Sequence, residues 1–323
     1  MNVAFAGFRH GHIFSLYNYM KNNEEINITG CFEEDEDAKK GAMEGRDLNF
    51  KYDSYEEILN DENVDVVAIG DYYEKRGKMA IEALKHGKHV FCDKPICIKL
   101  EELYEIRELS EKNNLQVGCM LDLRYMAQVS KVKELLKNDE IGTVHIASVT
   151  GQHALGYSTR PHWYYEDNKH GGTINDIGIH GVDLLRFITG KNLTKVDCAK
   201  TWNAFADKEP QFKDSAQFMI DMEGMAVMAD VSYAAPSFKG IIPTYWDFKF
   251  WGSKGLLTFN LKDPVIHIYK ETEEIIECKK EPTAYVDEFI KEVNGINTSF
   301  NTADILDSQE QVLKIQKFAD ETN

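Results

Sequence analysis

Five short apolar segments, rich in β-branched residues, alternate with helical stretches through the first 122 residues of the chain. The strand-like segments are Val3–Ala6, Ile26–Phe32, Val64–Ile69, His89–Cys92 and Gln116–Met120. Between them lie helical patterns at His12–Asn22, Asp35–Met43, Tyr55–Asn60, Lys75–His86 (stopped by Gly87) and Leu100–Asn113. Strands joined by helical crossovers with short connections must run parallel, so this rhythm predicts an α/β, doubly wound parallel sheet.

After about Asp122 the rhythm changes. A helix at Ala127–Asn138 precedes a strand at Thr143–Thr150, and a loop rich in His, Tyr and Trp follows at Gln152–His170. Strands with turns then run at Val196–Asn203, Ser215–Met222, Ala226–Tyr233, Tyr245–Trp251, Gly255–Asn260 and Val265–Tyr269. Helices near Ala284–Val293 and Thr302–Ala319 close the chain. The pattern predicts an α+β domain on a large, mostly antiparallel sheet, with residues 1–122 as a nucleotide-binding domain and 123–323 as the second.

A formal net charge of -17 argues against nucleic acid or an acidic membrane surface as partner. No apolar run approaches the ~20 residues of a membrane-spanning helix. The N-terminus reads as a strand without the basic stretch of a signal peptide. Six cysteines (31, 92, 97, 119, 198, 278) form no C-x-x-C pair and read as reduced thiols of a cytoplasmic protein.

The first strand runs into Gly7-Phe8-Arg9-His10-Gly11-His12 and then a helix, the place of a dinucleotide fingerprint. Gly7 fits the tight turn, whereas Arg9 and His12 hold the second and third glycine positions and Gly11 is displaced by one. The helix start still offers backbone N–H groups to a phosphate, and Arg9 can add a charged contact. Glu33, with Glu34 and Asp35 as rivals, ends the second strand, where an acid holds the adenosine ribose; this favours NAD over NADP. His10, His12, Asp71, Arg76, Asp93 and Lys94 complete the expected cofactor-contact set.

The stretch from Gly171 to Gly190 reads as a glycine turn, a helix and a glycine stop, with Thr173 as N-cap. Asp176, His180 and Asp183 stand at i, i+4 and i+7 and share a face. A carboxylate beside an imidazole on a rigid helix suits proton transfer; a solvated or core-satisfied face has the same spacing. Asp93-Lys94-Pro95 ends the fourth strand, where such sheets bind ligands.

Together, "GKHVFCDKP" and "GGTINDIGIHGVDLLRFITG" resemble the glucose-fructose oxidoreductase / inositol dehydrogenase / MocA (Gfo/Idh/MocA) family over essentially the whole chain. The resemblance implies a Rossmann domain, then a domain whose open sheet builds homodimers or homotetramers. It implies NAD(P)-dependent oxidation or reduction of a sugar, inositol or sugar acid. Carried over, Lys94 stabilises negative charge on the reacting oxygen and His180 takes its proton. Asp176 orients the substrate hydroxyls or the imidazole, and Asp183 supports the helix. Two departures flank the cofactor: the Arg9/His12 loop, and Gly70-Asp71-Tyr72-Tyr73-Glu74-Lys75-Arg76 where the family often has Thr-Pro-Asn-x-x-His.

Arg124, Tyr157, Arg160 and Trp163 are the expected substrate contacts, aromatic faces suiting a sugar ring and Arg160 a carboxylate. The histidines at 153, 162, 170 and 180 lack a compact ligand spacing, so no metal is expected. Two alternatives to net hydride transfer keep the same cleft. One is a redox-neutral lyase or glycosidase using transient oxidation by NAD; the other is a non-catalytic sensor of a sugar or nucleotide.

Overall fold

The computed structural model describes residues 1–157, 159–166, 168–235, 245–279, 285–298 and 301–322. It divides into two compact units. The first comprises Met1–Met120, Pro161–Gly171 and Tyr285–Gln309; the second comprises Leu121–Arg160, Gly172–Ala284 and Glu310–Asn323.

In chain order the first unit holds β1 (Asn2–Ala6), α1 (His12–Lys21), β2 (Asn27–Phe32), α2 (Glu36–Met43), α3 (Tyr55–Asn60), β3 (Val66–Ile69), α4 (Tyr73–Lys85), β4 (His89–Cys92), α5 (Leu100–Asn113) and β5 (Val117–Cys119). The strands form one parallel sheet in the order β2-β1-β3-β4-β5. Every residue of β3 is buried, as a strand covered on both faces requires. Residues 49–52 lie along the outer edge of β2, where Cys31 N donates to Asn49 O at 2.7 Å and Tyr52 N to Cys31 O at 3.3 Å. The crossover after β2 returns past β1 to β3, so strand order reverses between β1 and β3, and their carboxyl ends flank the crevice where such sheets bind ligands.

The second unit begins with α6 (Ala127–Lys137) and β6 (Val144–Ala154), continues through α7 (Ile179–Thr189), and then runs through β7 (Leu193–Trp202), β8 (Ser215–Met222), β9 (Met225–Ala235), β10 (Asp247–Gly252), β11 (Gly255–Asn260), β12 (Val265–Tyr269) and β13 (Glu273–Glu277). The sheet order is β13-β12-β11-β10-β6-β9-β8-β7, antiparallel except for the parallel β6–β9 pair. One face is core: Ala147, Val149, Phe218, Ile220, Phe248, Phe250, Leu257 and Ile268 are all buried. The rings of Phe248 and Phe259 stack at 4.9 Å.

Strand β13 was not expected. Its sequence, Glu-Glu-Ile-Ile-Glu, has no alternation, and pairing with β12 makes it an edge strand whose exposed charges discourage further pairing. Strand β6 runs four residues beyond the Thr150 expected from sequence, because β9 pairs with it through Ala154.

A single cut after residue 122 does not describe this division. Helix α8 (Tyr285–Val293) joins the first unit, with Tyr285 and Phe289 against Phe91 at ring separations of 6.0 and 5.0 Å. In the final helix, α9 (Thr302–Thr322), Thr302 Oγ1 accepts from Val117 N at 2.9 Å. The sequence-expected start of α8 at Ala284 lies outside the described residues.

Candidate active site

In the first unit the loop after β1 is built on Gly7. Its φ is +83°, and a Cβ there would lie 2.6 Å from the Asp71 amide nitrogen, so glycine is required. Gly11 is under no such constraint, as a Cβ would meet nothing within 4 Å. The loop is tied inward. Phe8 N donates to Glu33 Oε2 at 2.6 Å, and Arg9 N and His10 N donate to Gly70 O at 3.1 and 3.3 Å. Glu33 is buried and also accepts from Asp35 N at 3.0 Å.

Arg9 pairs with Glu33 at 3.3 Å and Asp35 at 3.2 Å and lies over the Tyr72 ring. Burial works against its charge, but those acids and Asp71 hold its pKa above the usual arginine value. Asp71 is buried and accepts from Tyr72 N at 2.7 Å. Burial, with Glu33 nearby, pushes its carboxyl up to about 6.

Arg76 departs most from its expected role as a cofactor contact. It is fully buried, and its guanidinium is spent on the chain. Nε donates to Asp71 O at 2.7 Å; Nη1 donates to the carbonyls of Asp93, Lys94 and Pro95 at 3.0, 2.7 and 3.2 Å. Nη2 meets Asp93 Oδ2 at 3.0 Å. One side chain thus holds the backbone of the turn that carries Lys94, itself only 4% exposed. His10 Nδ1 lies 2.5 Å from the same Asp93 oxygen, and burial lowers the His10 pKa to about 4.

Trp163 likewise differs from the expected substrate contact. It is buried, stacks on Tyr164 at 4.3 Å, and its Nε1 donates to Arg9 O at 3.2 Å. It fastens the 161–171 segment to the loop after β1. Of the aromatic loop 152–170, positions 158 and 167 lie outside the described residues.

In the second unit the expected helix opens differently. Ile174–Gly178 is a π-turn that leads into α7. Thr173 is helical (φ -69°, ψ -32°) and makes no side-chain cap; its Oγ1 donates to Lys213 O instead. The buried amides of Ile174 and Asn175, at the start of the turn, are taken by Gln316 Oε1 at 3.0 and 3.3 Å, so a residue 142 positions away from Ile174 caps the turn. Gly190 does end α7 in the left-handed conformation, φ +71°.

Asp176, His180 and Asp183 are all buried, so the polar stripe is not a solvated face. Tyr233 Oη donates to Asp176 Oδ2. The His180 ring meets the edge of Trp246 at 6.0 Å. Asp183 is held by Arg124, whose Nε donates to Oδ2 at 2.8 Å and whose Nη2 donates to Oδ1. Arg124 is 1% exposed, so the expected substrate contact is a buried ion pair that anchors α7. Arg160 donates to Leu155 O at 2.8 Å and Ala154 O at 2.9 Å, and lies 4.5 Å from the Tyr233 ring centre. It supports the tyrosine that holds Asp176. Tyr157 Oη accepts from Lys208 N at 3.4 Å.

Sequence reasoning missed Tyr233, Trp246 and Gln316. Only the end of an alternating strand marks Tyr233, and nothing local marks the other two.

The "Oxidoreductase family, NAD-binding Rossmann fold" description matches residues 1–121, and the "GFO/IDH/MocA C-terminal domain" matches residues 129–258. The chain is 27% identical over 161 residues to a myo-inositol 2-dehydrogenase of Thermotoga maritima; the match covers 50% of this chain and 47% of that protein. The chain therefore spans about half the length of the curated relatives it matches. An Erwinia carotovora atroseptica structure described as an oxidoreductase superposes with TM-score 0.89 at 20% identity, covering 99% of this chain and 98% of the other. An inositol dehydrogenase homologue complexed with NAD+ from Azotobacter vinelandii superposes with TM-score 0.81 at 15% identity, covering 100% and 96%. At these identities the superpositions establish the fold. The two matched domains, in this order on one chain, place the protein in the GFO/IDH/MocA oxidoreductase family.

Proposed function

We propose that the chain is an NAD-dependent oxidoreductase acting on a secondary hydroxyl, or the matching ketone, of a sugar, inositol or sugar acid. The observation that carries this reading is the burial of both Asp176 and His180 where the π-turn opens α7, with Tyr233 holding the carboxylate. A buried acid kept in one orientation, four residues before a buried imidazole in the same helical segment, suits chemistry on a hydroxyl.

The residues of the first unit fit a dinucleotide. Gly7 makes the turn that only glycine can make, α1 carries no acid in its first turn, and Glu33 ends β2. The amides of Gly11 and His12 would receive phosphate, since those of Phe8, Arg9 and His10 are already used and those of Ile13 and Phe14 donate to His10 O and Gly11 O at 3.3 Å. Arg9 joins Glu33 to Asp35, so NAD over NADP rests on a carboxylate pair where a 2′-phosphate would sit.

A bound nicotinamide supplies a hydride acceptor or donor at the substrate carbon. The remaining work belongs to the chain. His180 takes the hydroxyl proton in the oxidising direction and returns it in the other. The family motif assigns Lys94 a hydrogen bond that stabilises negative charge on a reacting oxygen. Asp176 orients the hydroxyls, held by Tyr233, which Arg160 supports in turn. Arg76 fixes the turn on which Lys94 stands.

The proposal also includes self-association through the second unit's sheet. The test of function is calorimetric titration with NAD(H) and NADP(H), followed by absorbance of reduced nicotinamide across a panel of polyols and aldoses. Binding of NAD and reduction by at least one polyol is the expected result. Binding without net reduction would favour the redox-neutral reading, and no binding at millimolar cofactor would remove both.

A further inference from the structure

His10 and His12 stand two residues apart in the loop after β1, and Asp93 ends β4, 81 positions beyond His12. One candidate donor atom from each of the three lies within 4.8 Å of the others. Asp93 is fully buried, and its Oδ1 has no hydrogen-bond partner. An ionised oxygen without a donor in a buried position is costly. The nearest polar atom given to it is His12 Nδ1, at 3.4 Å, too poorly aligned for a hydrogen bond.

That separation has another meaning. Two ligands about 2.0–2.1 Å from a tetrahedral cation stand roughly 3.4 Å apart. We propose that His10, His12 and Asp93 Oδ1 form a binding site for a divalent transition cation of the zinc or cobalt kind. Two imidazoles and one carboxylate favour such an ion over magnesium or calcium, which take oxygen ligands. An anion is disfavoured because the unsatisfied atom is a carboxylate oxygen.

The surroundings supply the outer support that metal ligands need. Arg76 Nη2 holds the other Asp93 oxygen, Oδ2, at 3.0 Å; without an ion His10 Nδ1 also meets Oδ2, at 2.5 Å, a contact that ligation would replace, while Oδ1 faces His12. His10 Nε2 lies 3.4 Å from Tyr73 Oη, which is in turn 2.7 Å from Tyr164 Oη. When His10 ligates through Nδ1, its ring proton moves to Nε2 and is accepted by Tyr73. The His12 side chain is half exposed, which gives the ion an entry path. Waters complete the coordination. The charge of Arg76 nearby makes the site weaker than a closed structural zinc site.

The full chain, stripped with chelator and dialysed, is titrated with Co²⁺ while the visible d–d absorption is followed. Zinc retained after gel filtration is measured in parallel. Wild type takes up one equivalent with a visible band, and zinc raises its thermal midpoint. His12→Ala, at a half-exposed position, keeps the metal-free thermal midpoint of wild type but loses the band and binds at least tenfold more weakly. Asp93→Asn loses it as well. A wild type that binds no equivalent, or a His12→Ala variant with an unchanged band, overturns the proposal.

Discussion

Asp71 shows how the site's residues are held against their own solvation. Its carboxyl is buried at the end of β3, beside Glu33, and titrates near 6 rather than 3.8. The folded state therefore keeps a proton that the unfolded chain has already released. Stability from this group is undiminished below about pH 4, falls as pH rises from there to about 6, and stays low above. The shift of about two units corresponds to roughly 3 kcal/mol. Asp71→Asn can still accept the Tyr72 amide through its side-chain oxygen. Urea unfolding of the variant and wild type at pH 4 and pH 7 should show near equality at the lower pH. At the higher pH the variant should be more stable by about 2–3 kcal/mol; a constant difference at both would show that Asp71 is not the titrating group. Arg76 illustrates the opposite case, a buried charge with all three guanidinium nitrogens hydrogen-bonded, on which the Lys94 turn rests. Its five partners are four backbone carbonyls and one carboxylate, so nothing about Arg76 is visible in the sequence except its departure from the family's histidine.

The π-turn and α7 form the element on which the proposed chemistry rests. A π-turn widens the helix just where Asp176 sits, a common feature of functional helices. Its amides are capped from α9 by Gln316, and its carboxylate is fixed from β9 by Tyr233. Three elements distant in sequence thus set one side chain. Removing the hydroxyl leaves a buried carboxylate short of a donor, at a cost of about 1–3 kcal/mol. Tyr233→Phe should lower kcat/KM by about ten- to a hundredfold, with circular dichroism unchanged. If Tyr233→Phe turns over at the wild-type rate, Asp176 does not need this orientation. At this scale the sequence was most readable where structure is local. Tyr55–Asn60, His89–Cys92, Leu100–Asn113, Ser215–Met222, Gly255–Asn260 and Val265–Tyr269 fall where their patterns predict. It was least readable where a distant partner decides. The Thr173 cap gives way to Gln316, and β13 exists only because β12 pairs with it.

For the whole molecule, the second unit's sheet leaves one face unburied. Ile146, Met219, Met228, Trp251, Tyr269 and Ile275 are exposed by 53, 52, 60, 50, 38 and 58%. Cross-strand register puts them on the same side: Trp251 pairs with Ile146, Met219 with Met228, and Leu256 with both Trp251 and Tyr269. An apolar face spread over so many strands is what a self-associating sheet presents. Trp251→Glu should shift the chain to a smaller species in light scattering while leaving its secondary structure intact, and an unchanged mass would remove this face from assembly. Fold class and the two-part organisation were legible in the alternation of strands and helices. The helix motif with Asp176 and His180 and the turn with Lys94 were readable as candidates because each is contiguous in sequence. The roles of Arg124, Arg160, Trp163 and Arg76 were not legible, because an arginine or tryptophan in a polar loop reads as a ligand contact until its partners are known; here Asp183, Tyr233, Arg9 and the Asp93 turn claim them. The central claim is hydride transfer between a substrate carbon and a nicotinamide, with His180 handling the proton. It is tested most directly by incubating the chain with NAD and carbon-deuterated polyols, then locating the label by mass spectrometry. Deuterium on the nicotinamide ring in wild type, reduced by at least about a hundredfold in rate in His180→Asn, is the predicted result. No deuterium on the cofactor with any polyol or aldose, under conditions where NAD is bound, would contradict it.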